Sequence, residues 1–105
     1  IERKVAEYMK FAFLIMGDFD SRTDRASIHD GQAQIIGVGN LPEAVKRAKE
    51  LYEAGVECIE LCGAFGADGA KEIIDATKNQ IPVGYVTHLP EQNDVYEKFF
   101  PKSEK

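Results

Sequence analysis

The stretch Asn40-Leu-Pro-Glu-Ala-Val-Lys-Arg-Ala-Lys-Glu-Leu-Tyr-Glu-Ala-Gly-Val-Glu-Cys-Ile-Glu-Leu-Cys62 changes its hydrophobic period partway along, and that change decides the fold class. In the first part Leu41, Ala44, Val45, Ala48, Leu51 and Tyr52 recur at every third or fourth position, with charges filling the other face. Glu43–Arg47 is an opposite-charge pair four apart. Asn40 is a natural N-cap, Pro42 suits the first turn, and Gly55 suits the stop. Val56 to Cys62 then has the length and composition of a strand. A helix feeding directly into a strand is half of a βαβ unit.

The pattern repeats on both sides. Downstream, a helix is predicted to about Lys78, with Ala70, Ile73, Ile74 and Thr77 on its inner face, followed by a strand in Ile81–Thr87. Upstream, Gln34-Ile-Ile-Gly-Val38 reads as a strand. The order from Gln34 is β-α-β-α-β, and helix-sized connections imply parallel pairing with right-handed crossovers. Lys10-Phe-Ala-Phe-Leu-Ile-Met-Gly17 is a continuous apolar run, the signature of a strand covered on both faces. Asp18 to Arg25 reads as a polar surface loop, and Asp30-Gly31 as the turn of a short hairpin. Gly37-Val-Gly39 reads as turn geometry. The expected fold is α/β: a small, mostly parallel sheet of four to five strands with a β-α-β-α-β core and a short antiparallel hairpin.

At 105 residues the chain fits one domain. Residues 9–89 are taken as that domain and residues 1–8 as an N-terminal extension. Residues 90–105 form a tail with a short amphipathic helix, whose stripe of Val95, Tyr96, Phe99 and Phe100 would dock on its own domain or on a neighbouring copy. A core this small makes a homo-oligomer the expectation. The net charge of −5, with bases interleaved among acids, argues against nucleic acid and against an anionic membrane surface. Cys58 and Cys62, on one strand, would stand about 13 Å apart, too far for a disulfide. Two reduced thiols in the cytoplasm are expected.

Parallel α/β sheets bind ligands beyond the carboxyl ends of their strands. Asp18, Asn40 and Gly63, Ala64, Phe65 and Gly66 are the candidate ligand-binding residues there, the glycines offering either helix capping or backbone contact with an anion. Cys62 is the candidate nucleophile, with His88 or Glu60 as its acid–base partner, or else a small core residue. Glu60 is the odd residue, a carboxylate in a strand expected to be covered. No metal cluster and no cofactor fingerprint is seen, and no strand-end lysine suits a Schiff base.

The helix–strand run Glu43–Leu61 is similar to a generic unit of (β/α)-barrel enzymes. Met9 to about His88 resembles a small bacterial family of uncharacterised α/β proteins, a domain of unknown function. The residues carrying that likeness are Lys10-Phe-Ala-Phe13, Gly37-Val38, Pro82-Val-Gly84 and above all Ile59-Glu-Leu-Cys-Gly-Ala-Phe-Gly66. It departs at Asp30-Gly31. The resemblance implies that Glu60, Cys62 and the Gly63–Gly66 loop belong to the family's signature stretch, and it implies no activity. Three functional expectations stand: a domain that binds a small ligand, an anion among the candidates, at the carboxyl ends of its strands; a Cys62-dependent enzyme; and a structural self-association module.

Overall fold

A computed structural model describes residues 9–101, so the expected extension at 1–8 and the end of the tail at 102–105 lie outside the described residues. Five strands, β1 (Phe11–Met16), β2 (Arg25–Ile28), β3 (Ala33–Val38), β4 (Cys58–Leu61) and β5 (Val83–Tyr85), form one sheet in the order β2-β3-β1-β4-β5. β1 pairs in parallel with both β3 and β4, and β4 with β5; β2–β3 is antiparallel. Among the described residues three helices connect or follow the strands, α1 (Leu41–Glu53), α2 (Gly66–Ala76) and α3 (Asn93–Phe99), with 3₁₀ turns at Gly63–Phe65 and Pro90–Gln92. This is the mostly parallel α/β sheet with a β-α-β-α-β core and a hairpin.

Local chemistry accounts for the junctions. The Glu43 N–H donates to Asn40 Oδ1 at 2.8 Å, satisfying one of the open donors of the first turn of α1. The hairpin turns through His29, Asp30 and Gly31, all left-handed, with φ of 51°, 59° and 87°. Asp and Gly are residue types that tolerate that region.

The two crossovers, β3-α1-β4 and β4-α2-β5, step across the sheet in the same direction. Right-handed connections stepping the same way lay their helices on the same face. Ala12, Leu14, Ile36, Val38, Ile59 and Leu61 are buried against Ala44, Ala48, Leu51, Ala70 and Ile73 of the helices. The alternate residues Phe11, Phe13, Ile15, Ile28, Ile35, Cys58 and Glu60 point to the opposite face, away from α1 and α2, where Phe19 packs over Gly17 and Gly37. The run Lys10–Gly17 therefore differs from the expectation of burial on both faces, because covering the second face would need a crossover in the other direction.

Instead of a helix, the connection from β1 to β2 is a loop that passes over the end of β3. A Cβ on Gly37 would lie 2.6 Å from Phe19 Cγ, and one on Gly17 2.9 Å from the same ring. These glycines, Gly37 among them, serve close approach of an aromatic ring and not a turn.

Candidate functional site

All four parallel strands end on one edge, and the edge has two unlike halves. Beyond β3, a polar depression of about 420 Å³ lies between the loop and the start of α1. Apart from the exposed Lys46, its charged side chains are paired with groups nearby. Ser21, buried although it belongs to a polar loop, donates its hydroxyl to Glu43 Oε2 at 2.6 Å and accepts from Arg47 Nε at 2.8 Å. Arg47 also donates to Glu43 at 3.1 Å and to Glu50 at 2.7 Å. The Ser21 hydroxyl, followed by the Arg47 charge, holds the Glu43 carboxyl below its usual range. Asp20 receives the Arg22 guanidinium at 3.0 and 3.1 Å and the Arg22 backbone N–H at 3.0 Å. Those bonds bring its pKa down to about 2.

Beyond β1, β4 and β5 is a cleft of about 810 Å³ with a mainly apolar lining. Its floor is Ile15, Met16 and Cys62, the residues at or just past the strand ends. One side is Gly63 and Ala64 in the 3₁₀ turn, and the far side is Val86, Thr87 and His88. The tail closes the cleft with Asn93, Tyr96 and Phe100. Backbone pairing stiffens the floor: Cys62 N–H donates to Leu14 O at 3.0 Å and Val86 N–H to Leu61 O at 2.9 Å. The Cys62 Sγ accepts from the Met16 N–H at 3.3 Å. His88 Nε2 lies 2.8 Å from Asn93 Oδ1, which can only accept, so that nitrogen carries its hydrogen in this pair. The Tyr96 ring stacks on the imidazole with centroids 3.7 Å apart and planes within 10°. Phe100 follows at 5.9 Å from Tyr96. These contacts hold the tail against the strand end.

The structure thus gathers Cys62, Gly63, Ala64 and His88 in one cleft. Asn40 lies in the polar half, where it caps α1. Asp18 is exposed on the loop and lines neither depression. Phe65 points away, buried in the core at 6% exposure. Gly66 starts α2 with a φ of 63° that a side chain would strain. Glu60 stands on the open sheet face, level with Phe13 and Gly84. There it accepts from the Cys58 thiol at 3.7 Å, and burial together with the Glu60 charge pushes that thiol's pKa up.

Sequence reasoning missed Tyr96, Phe100 and Asn93 as cleft residues. The aromatic stripe was a signal for docking, but not for where it docks. Ser21 gave no signal, since a serine among polar loop residues is unremarked. Among the described residues no three His, Cys, Asp or Glu side chains cluster as a metal site would need, and no helix is long and apolar enough to cross a membrane.

Fold and edge together define an α/β protein with α1 and α2 packed on one face of the sheet and an apolar cleft at the strand ends. Within that class the chain belongs to a family of unknown function, DUF6506, which matches residues 9–101 and so includes the tail helix. No curated protein and no solved structure matched it.

Proposed function

We propose that the protein binds a small, mainly apolar ligand with one polar end in the cleft between β1, β4, β5 and the tail. The observation that carries this is the cleft itself: a large concave space with apolar walls and a few polar atoms on its rim, the usual composition of a small-molecule site. Ile15, Val86, Tyr96 and Phe100 supply apolar surface. Gly63 and Ala64, nearly without side chains, leave the space open. Thr87, the Cys62 thiol and His88 Nδ1 are available to a polar group. An acidic ligand would be met by His88, since no other lining side chain can carry positive charge. The two free cysteines support a reducing, cytoplasmic setting.

The test uses the fluorescent apolar anion anilinonaphthalene sulfonate. Native protein should bind it saturably, and Ala64→Trp, which fills the cleft from an exposed position, should abolish that binding while leaving the far-UV circular dichroism unchanged. Equal binding by the filled variant would sink the proposal.

A second reading is favoured by the presence of Cys62 and His88 in the same cleft: Cys62 as nucleophile and His88, oriented by Asn93 and Tyr96, as its base. Alkylation of Cys62 by iodoacetamide, followed from about pH 5 to about pH 9, checks it. His88→Ala should slow the reaction near neutrality. A rate unchanged by that substitution removes the enzyme reading.

A further inference from the structure

The tail beyond β5 is held quite differently from the other two helices. α1 and α2 each bury side chains in the core, whereas Pro90–Gln92 and α3 bury none, and every residue from Tyr85 to Phe100 is exposed. Sheet pairing ends with the Val86 N–H on Leu61 O. Past that point, among the described residues, the backbone hydrogen bonds stay inside the tail, from Gln92 N–H to Leu89 O and from Phe100 N–H to Tyr96 O. The contacts that orient the tail start from its own root. His88 meets Asn93 and Tyr96 a few residues further on, so the hydrogen bond and the ring stack set the angle at which α3 leaves β5. Neither contact reaches the opposite wall at Gly63 and Ala64.

Asn93, Tyr96 and Phe100, the three tail residues that line the cleft, fall at i, i+3 and i+7, which is one face of a helix. The tail thus turns two aromatic rings and an amide toward a space of about 810 Å³ that it does not fill. A helix of 7 residues with no buried side chain is close to the limit of stability in water. Segments with so little burial open locally at small cost, and the covers of binding sites are drawn from them.

We infer that the tail is a lid: α3 swings on Thr87, His88 and Leu89, the His88–Tyr96 stack is its latch, and an apolar ligand in the cleft draws it shut. The inference rests on the ligand-binding reading of the cleft. A ligand lying between Ile15, Met16 and Ala64 on one side and Tyr96 and Phe100 on the other covers ring surface that is otherwise open. Tyr96 is 36% and Phe100 72% exposed. That gain exists only with the tail closed, so occupancy raises the closed population. Linkage makes the effect mutual: the factor by which ligand suppresses opening is the factor by which closure tightens the ligand.

Trypsin reads the opening, because Lys98 lies in α3 and has to leave the helix to be cut. The full chain is digested and the fragments are assigned by mass. Without ligand, cutting after Lys98 should outpace cutting after Lys71 in the docked helix α2. Saturating anilinonaphthalene sulfonate should slow the Lys98 cut about tenfold and leave the cut after Arg22, on the exposed loop, unchanged. Tyr96→Ala, which lacks the latch, should be cut faster at Lys98 when free and gain less protection from the probe. Probe fluorescence in the same samples separates the two possible failures. Saturable binding with an unchanged Lys98 rate overturns the lid and leaves the cleft reading standing, while no binding at all removes both. Equal protection at Lys98 and Arg22, the mark of a ligand that steadies the whole fold, also overturns the lid. So does a free protein cut no sooner at Lys98 than at Lys71.

Discussion

The two halves of the strand-end edge share a sheet and a direction but use opposite chemistry. Beyond β3, Ser21, Glu43 and Arg47 satisfy one another in a closed network, and the loop is locked to α1. Beyond β4 and β5, the surface is apolar, the space is open, and few polar atoms are committed. Polar groups that are mutually paired have nothing left for a ligand, while apolar walls around open space gain from being covered. The first half therefore serves as scaffold and the second as the place of binding.

Substitutions that separate stability from binding should break or sharpen this contrast. The largest effect is expected at Gly37→Val, where the new side chain collides with Phe19. Steric overpacking predicts a loss of roughly 3 kcal/mol, read from urea unfolding, with most of it recovered in the double variant with Phe19→Ala. Ser21→Ala deprives the well-covered Arg47 Nε of its acceptor and should cost about 1–2 kcal/mol, with probe binding in the cleft unaltered. If that variant instead loses probe binding while keeping its stability, the assignment of roles is reversed. Tyr96→Ala should do the opposite: a stability change under about 1 kcal/mol, and a probe affinity about tenfold weaker.

The smallest effect is a pH dependence. The folded-state pKa of Asp20 is depressed, so its contribution is fully present above the ordinary carboxylate value near 3.8 and is lost as pH falls through about 2. Wild type and Asp20→Asn should differ in thermal midpoint at pH 5 and converge below about pH 2. A difference that persists at the acid end would mean Asp20 acts through something other than its charge.

How much of this could be read beforehand follows from what kind of information each feature needs. α1 was plain, since period, cap and stop all lie within the helix and its neighbours. The strand-end edge followed from β-α-β order alone. The one-sided coverage of the sheet was hidden, because it depends on β1 inserting between β3 and β4, and no local pattern encodes a strand order. Glu60 looked anomalous for that reason: it was assigned to a covered strand face that turns out to be open. Of the candidate residues, those brought together are the ones nearest the ends of β4 and β5. Asn40 and Phe65 went to capping and to the core, roles that polar caps and large aromatics fill by ordinary physics. Ser21 and the tail's part in the cleft both depend on long-range contacts that no short motif records.

The position of β1 bears on how the chain reaches this state. Phe11 stands beside Ala33 on one side and Cys58 on the other, so the strand that comes early in the sequence has both partners much later in it. Loop closure must precede any gain from either pairing, which favours a slow and all-or-none assembly. A fragment stopping after α1 would leave β1 with a bare edge and its helix face half exposed, an adhesive intermediate. Ribosomal synthesis has to pass through that length, and it is there that misassociation of nascent chains would begin.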